Sequence, residues 1–473
     1  MIGREKEQAE LLRRYQRNKA EFVAVYGRRR VGKTTLVSET FQEQFAFRHA
    51  GLSPAEKQGA LAAQLQHFYH SLLDYGLCDA SEPGNWMDAF YLLEKLLKQK
   101  DDGSRQVVFL DELPWMDTPR SGFVTALEGF WNNWGCHRKN LMLVVCGSAS
   151  SWILDHLIQN HGGLYNRVTC EIKLSPFTLH ESELFLKDAD VHFSRYDLVQ
   201  CYMIFGGIPF YLDALDGRLS LAQNVDQLFF KHNAQFRDEY DRLFASVFSN
   251  PEAVKAIVAL LYTRRGGFTR KEISQFTGLS GGVLTSFLKA LVGSDFVEKY
   301  IPFGFGARDA HYKLVDPFCL FYLHFIANLK KTDEQFWVHH TSTQDVVSWR
   351  GLAFENICFR HVPQIKRSLG ISGVRSTQSA WVLRGEANNA QIDLLIERDD
   401  HVINACEIKF YSDEFTVNYS YYRELLSRQG ILMEHISPKM SVYQTLISSY
   451  GLKRNEYSGI FTQVVTMDDL FSE

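Results

Sequence analysis

Residues 27–35, Gly27-Arg28-Arg29-Arg30-Val31-Gly32-Lys33-Thr34-Thr35, constrain this chain more than any other stretch. They fit the pattern G-x-x-x-x-G-K-[ST], which cradles phosphate when it lies between a strand and a helix. Both flanks suit that setting. Phe22-Val23-Ala24-Val25-Tyr26 is an apolar run fit for a buried strand, and Thr34 to Phe41 suits a helix. Glycines let backbone N–H groups curl around an anion, and the helix start adds positive potential. Lys33 is expected to reach the β- and γ-phosphates of ATP, and the Thr34 hydroxyl to hold Mg²⁺. Arg28, Arg29, Arg30, Val31 and Thr35 complete the ATP-binding loop, and its arginines add positive charge beside it.

The second half of such a site should be an apolar strand that ends in acid. Val107-Val108-Phe109-Leu110-Asp111-Glu112 is one. Asp111 is expected to coordinate Mg²⁺ through water, and Glu112 to polarise the attacking water. A third strand, Leu141 to Cys146, ends in Gly147-Ser148. Ligands of parallel α/β sheets bind at the carboxyl ends of the strands, where all three runs stop. The fold expected is therefore α/β, with a P-loop NTPase parallel sheet.

Composition bounds the rest. A chain of 473 residues suits two or three domains. With 45% hydrophobic and 22% charged residues it is globular in type. A net charge of −4 argues against wholesale coating by nucleic acid but leaves a local basic cleft open. The charged N-terminus is no secretory signal, and the longest apolar stretch, Phe318 to Leu329, is too short to span a bilayer. Eight cysteines with no C-x-x-C pair suit reduced thiols. A cytoplasmic protein without a membrane partner is the expectation.

Residues 250–315 predict three helices and a hairpin, the order of a winged helix-turn-helix. Pro251–Tyr262 is apolar at helical spacing, Thr269 and Glu272 fit a capping box, and Val283–Val292 is a third amphipathic helix. Strands are expected at Phe296–Ile301 and Ala310–Val315. The third helix offers mainly Lys289 to a nucleic acid, a thin basic footprint. DNA contact and a protein-contact lid both remain open.

Near the C-terminus, Gln391 to Glu397 alternates, and Val402 to Phe410 follows a turn at Arg398-Asp399-Asp400-His401. A hairpin centred near Asp400 puts Asp393 opposite Glu407, with Lys409 on the same face. Facing acids repel unless a cation lies between them, and Mg²⁺ accepts one or two carboxylates plus waters and phosphate oxygens. Residues 341–473 hold 13 Lys+Arg against 16 Asp+Glu, so composition reveals no basic cleft there. Helices are expected at Phe354–Ser368 and Tyr419–Arg428.

With these residues in view, the chain resembles the archaeal-type ATPases, a branch of the AAA+/STAND P-loop NTPases. The likeness rests on Ile2-Gly3-Arg4-Glu5, the phosphate loop, Leu110-Asp111-Glu112-Leu113-Pro114-Trp115, Cys146-Gly147-Ser148-Ala149, Gly162-Gly163-Leu164-Tyr165-Asn166-Arg167, Leu174-Ser175-Pro176-Phe177 and Gly206-Gly207-Ile208-Pro209. It implies that Ser148 senses the γ-phosphate and that Pro209 and Arg4 lie near the base. Arg167 is the first choice for a charge-stabilising arginine. The C-terminal pattern resembles the PD-(D/E)xK, restriction-endonuclease-like fold, although Ile392 stands where that pattern has proline. That likeness implies that Asp393 and Glu407 hold Mg²⁺, that Lys409 orients or deprotonates water, and that Glu355 is the earlier acid on a preceding helix.

The expected division is an ATPase domain with a helical lid over 1–240, a winged helix over 241–335 and a nuclease-like domain over 336–473. Three readings follow. One is an ATP-gated, Mg²⁺-dependent nuclease acting on DNA. Another is a non-cleaving ATP switch that binds DNA or protein. The third is a scaffold that forms homo-oligomers with ATP.

Overall fold

A computed structural model describes residues 2–53, 60–148, 150–159, 162–248, 250–329, 333–384 and 389–473. The chain forms two compact units. The first holds residues 1–176, 243–251 and 285–295; the second holds 177–242, 252–284 and 296–473.

The first unit is built on five strands: β1 (Glu21–Tyr26), β2 (Phe47–Ala50), β3 (Gln106–Asp111), β4 (Leu141–Gly147) and β5 (Cys170–Lys173). They run in the order β2-β3-β4-β1-β5, every pair parallel. Strands β1, β3 and β4 are buried along their whole length, which is why they read as unbroken apolar runs. Polar residues stand only at strand ends, Gln106 and Asp111 on β3 and Glu21 on β1; Glu21 is buried between Arg14 at 3.3 Å and Arg17 at 3.1 Å. One face packs into an aromatic core with Phe22, Phe47, Phe68, Trp86, Phe90, Phe123 and Trp131. The strand order matters for chemistry, because β4 lies between the strand that feeds the phosphate loop and the strand that ends in Asp111.

The second unit carries two sheets. Strands β6 (Phe268–Thr269), β7 (Val297–Tyr300) and β8 (His311–Leu314) form an antiparallel sheet in the order β6-β8-β7. Helices Pro251–Tyr262 and Arg270–Thr277 precede helix Gly281–Gly293 in sequence. Thr269 and Glu272 cap helix Arg270–Thr277 reciprocally, so two orphan N–H groups find acceptors.

The other sheet is mixed. Strands β9 (Ser376–Arg384), β10 (Asn389–Arg398) and β11 (Val402–Lys409) form an antiparallel meander. Helix Tyr419–Glu434 then leads to β12 (Ser441–Ser448), parallel to β11, and β13 (Gln463–Thr466) continues in parallel. Between Ile392↔Trp381 and Leu395↔Ser379 the β9–β10 register slips by one. Asp393 and Leu394 thus face the single residue Ala380, a β-bulge. The bulge explains why Ala390, Ile392 and Leu395 share one apolar cluster although their spacing is not uniformly two.

One expected helix is corrected. Phe354–Ser368 is two helices, Gln344–Arg360 and Val362–Ser368, which part at His361. Pro363 sets the break: it lacks an N–H and fits only the first turn of a new helix. No single described helix is long and apolar enough to cross a membrane.

Candidate functional site

The phosphate loop leaves β1 through Gly27, whose φ is +149°. A Cβ there would lie 2.2 Å from the Leu174 carbonyl oxygen, because Leu174 N–H bonds the Tyr26 carbonyl at 2.7 Å. Only glycine permits that approach. Arg30 at φ +73° and Gly32 at φ +88° turn the chain into helix Lys33–Phe41. A Cβ on Gly32 would meet nothing within 4 Å, so the space before the helix N-terminus is open. That open cradle fits phosphate. Arg28 is buried, Arg29 and Arg30 are half-buried, Val31 is buried and Thr35 is exposed. Arg4 is buried as well and donates to the carbonyls of Val31 at 3.2 Å and Ser175 at 2.8 Å, bracing the loop from outside.

Lys33 is 5% exposed. Its ammonium donates to the carbonyls of Gly27 (3.2 Å) and Arg28 (2.9 Å) and to Ser148 Oγ (3.0 Å). Burial pushes its pKa down, against the fields of Cys146, Glu112 and Asp111. Thr34 donates to Asp111 Oδ2 at 2.7 Å. The other oxygen, Oδ1, accepts the Cys146 thiol at 2.7 Å and the Glu112 N–H at 2.9 Å. A hydroxyl and a carboxylate side by side are the hard oxygen donors Mg²⁺ requires, so the pair fits that ion. Glu112 occupies a left-handed turn, φ +45°, an uncommon place for a side-chain-bearing residue. Its carboxylate accepts the Ser148 hydroxyl at 2.9 Å and the Ser148 N–H at 3.2 Å. Lys33, Thr34, Asp111, Glu112 and Ser148 therefore form one connected set.

Cys146 was not anticipated as part of this set. Its signal is the register: Leu110 pairs with Val145, so the next residues, Asp111 and Cys146, are neighbours. Arg167 is exposed and makes no ion pair among the described residues. Pro209 opens helix Pro209–Leu212 in the second unit. Ala149, part of the Ser148 motif, lies outside the described residues.

A second set lies on the C-terminal sheet. Leu394 pairs with Cys406 across β10 and β11, and the same register carried one residue on brings Asp393 level with Glu407. Asp393 Oδ2 accepts the Ile408 N–H at 3.1 Å. Burial, then the charges of Glu407 and Glu355, push the Asp393 pKa up to about 7. Glu407 is 5% exposed and saturated with donors. Lys409 Nζ lies 2.8 Å from Oε1, Arg428 Nη1 lies 3.0 Å from Oε2, and the Tyr421 hydroxyl also donates to Oε1.

These contacts bear on the proton of Lys409. Burial alone would lower the Lys409 pKa, but Glu407 and Tyr421 raise it overall. The shift favours the ammonium form of Lys409, which suits stabilising developing charge. Glu355, on helix Gln344–Arg360, pairs with Arg265 at 2.6 Å. Burial raises its pKa, partly offset by Arg265 and Lys313. Among the described residues no three His, Cys, Asp or Glu side chains gather into a metal cage. Two facing carboxylates are still a donor set that Mg²⁺ accepts when water and phosphate supply the rest. Tyr421 and Arg428 were missed. They are seven apart on helix Tyr419–Glu434 and so share a face, the only signal the chain gives for them.

Comparison with known proteins bears mainly on the first set. The chain is 24% identical over 406 residues to an uncharacterized protein of Methanocaldococcus jannaschii, with 84% of each covered. Among solved structures it is similar to a Walker-type ATPase of Pyrococcus abyssi, at 15% identity and a TM-score of 0.46, covering 68% of this chain and 96% of that one. The Aeropyrum pernix ORC2 protein in its ADPNP–ADP complexes is similar at 15% identity and a TM-score of 0.41, covering 68% and 92%. Residues 1–215 match the model of an ATPase domain found predominantly in Archaea, and this stretch, which contains the whole Lys33–Ser148 set, is an ATPase domain of that P-loop type.

Proposed function

We propose that this protein is an ATP-driven switch whose nucleotide state gates a Mg²⁺-dependent phosphodiesterase, carried by its C-terminal sheet and acting on DNA. One observation carries the C-terminal half of this reading: Asp393 and Glu407 stand level on adjacent strands, with Lys409 beside them, at a bulge. Bulges recur next to active sites because they re-aim a side chain. Asp393 and Glu407 would hold Mg²⁺, which supplies charge neutralisation when bound. Lys409 would hold developing negative charge, and Glu355 would complete the acidic set. In the ATPase domain Glu112 would polarise water, Ser148 would orient Glu112 and report on the γ-phosphate, and Arg167 would stabilise charge on that phosphate. We read β6 to β8 and the helices before them as a winged helix that meets DNA. Lys289, its one expected cation, is engaged with Asp155 and with Gln159 at 2.9 Å, so DNA contact would fall to other residues.

The test is cleavage of plasmid DNA by the purified protein with Mg²⁺, with and without ATP, beside Lys409→Ala. Nicking by the parent protein that the variant loses supports the reading; equal nicking by both overturns it. The three donors on Glu407 favour a second reading, in which internal cations replace the metal and DNA is bound without being cut. Salt-dependent DNA binding with no cleavage at any Mg²⁺ or ATP concentration would select that reading.

A further inference from the structure

Lys313 is a half-buried cation on β8 in the second unit. It stands on β8 directly across from Glu298 on β7. Directly opposed residues of an antiparallel pair leave the same face, so an ion pair would be the simple outcome. None forms: among the described residues the Lys313 side chain makes no hydrogen bond and no ion pair. Its ammonium lies instead 5.0 Å from the ring centre of Phe359.

Phe359 locates the ammonium. It follows Glu355 by four residues on helix Gln344–Arg360, so the two side chains stack on one helix face. Lys313 accordingly feels the charges of Glu355, Glu298 and Asp393, with Arg265 opposing. Burial lowers the pKa of Lys313 and raises that of Glu298, as expected for two charges drawn out of water without closing on each other. Glu355 is already engaged by Arg265. A half-buried cation among acids that do not bond it is costly to maintain. An anion from outside would complete it, and Asp393 of the Asp393–Glu407 pair is among the acids whose charge it feels.

We propose that Lys313, supplied by the β7–β8 hairpin, binds a non-bridging phosphate oxygen of a DNA backbone at the Asp393–Glu407 site. The proposal rests on the reading of that site as one for phosphodiesters. It adds that the hairpin is part of the site: the cation which positions the strand comes from outside the mixed sheet. Phosphate contacts of this kind set register on the strand and carry no sequence information. A lysine suits the role as a point charge with three rotatable donors.

The test uses the full-length protein in EDTA, where cleavage cannot occur, with fluorescein-labelled single-stranded and duplex DNA read by anisotropy across a salt series. Lys313→Met should weaken binding about fivefold to tenfold and flatten the plot of log affinity against log salt by about one unit of slope. Lys313→Arg should restore most of both. Lys313→Gln gives the same comparison if the methionine variant does not fold. Unchanged affinity and slope in the neutral variants, with the parent protein binding normally, would overturn the role of Lys313 and leave the site reading intact. No binding of either DNA by the parent protein would overturn the site reading and this proposal with it.

Discussion

Ser148 Oγ donates to Glu112 Oε1 at 2.9 Å. The same hydroxyl accepts from Lys33 Nζ at 3.0 Å, so one serine ties the Glu112 carboxylate to the Lys33 ammonium. Ser148→Ala should leave the loop, and hence nucleotide affinity, within about threefold of the parent protein. Turnover should fall at least tenfold, since Glu112 loses the group that orients it. Phosphate release and binding of a fluorescent ATP analogue separate the two effects. Parallel losses in both would show that Ser148 supports the loop and not the chemistry.

Lys33→Met should act in opposite directions with and without nucleotide. The Lys33 pKa is lowered in the fold, chiefly by burial, so at neutral pH its charge counts against the nucleotide-free state. Removing the charge should raise the melting temperature of the nucleotide-free protein. ATP and Mg²⁺ should then add nothing, whereas the parent protein gains about 2.7 kcal/mol at a hundredfold excess over Kd. Thermal melts with and without ATP decide it, and a variant that ATP still stabilises would remove Lys33 from the phosphate site.

The two loop glycines should fail differently. Gly27→Ala places a Cβ 2.2 Å from a backbone oxygen of Leu174, which cannot swing aside as a side chain would. It should destabilise the first unit by at least about 3 kcal/mol. Gly32→Ala meets no neighbour within 4 Å and suffers only its φ of +88°, a cost of about 1–2 kcal/mol. Its methyl would nevertheless enter the phosphate space, so binding should drop more than stability. Urea unfolding and nucleotide titration of the pair test the contrast, and equal unfolding midpoints would refute it.

What the sequence revealed followed from how local each signal was. The loop was legible because its glycines, lysine and threonine act within one turn of chain. The Asp393–Glu407 alignment was legible because a short turn, with His401 at φ +63°, fixes the register of the hairpin. Strands β2 and β5 were not expected; each has four residues, includes polar ones such as Arg48 and Glu171, and gives little periodicity to read. The bond from Cys146 to Asp111 depends on β4 lying next to β3, a sheet order that no local pattern states. The bulge at Asp393 was invisible for a related reason. It breaks the alternation of β10 by one step, and only the register against β9 exposes that step. Tyr421, Arg428 and Lys313 reach the acidic set from other elements, so their roles come from tertiary packing and not from spacing.

Asp393 should make the fold pH-sensitive in a direction that can be worked out. Its pKa rises from an ordinary 3.8 to about 7, through burial first and then the charges of Glu407 and Glu355. Between those values the folded carboxyl keeps a proton that the unfolded chain gives up, so stability falls as pH rises through this window. The contribution is fully present below about pH 4 and lost above about pH 7, with an upper bound near 4 kcal/mol. Asp393→Asn removes the penalty. Its melting temperature should therefore gain on the parent protein as pH goes from 5 to 8, and the two should converge at low pH. Mg²⁺ between Asp393 and Glu407 would relieve the same repulsion, so adding it at pH 8 should narrow the gap by stabilising the parent protein alone. Melts at pH 5 and 8, with Mg²⁺ and with EDTA, measure both effects. A gap that stays constant with pH would show that the Asp393 carboxyl is already ionised at pH 5, and a gap that Mg²⁺ leaves unchanged would show that the pair does not hold the ion.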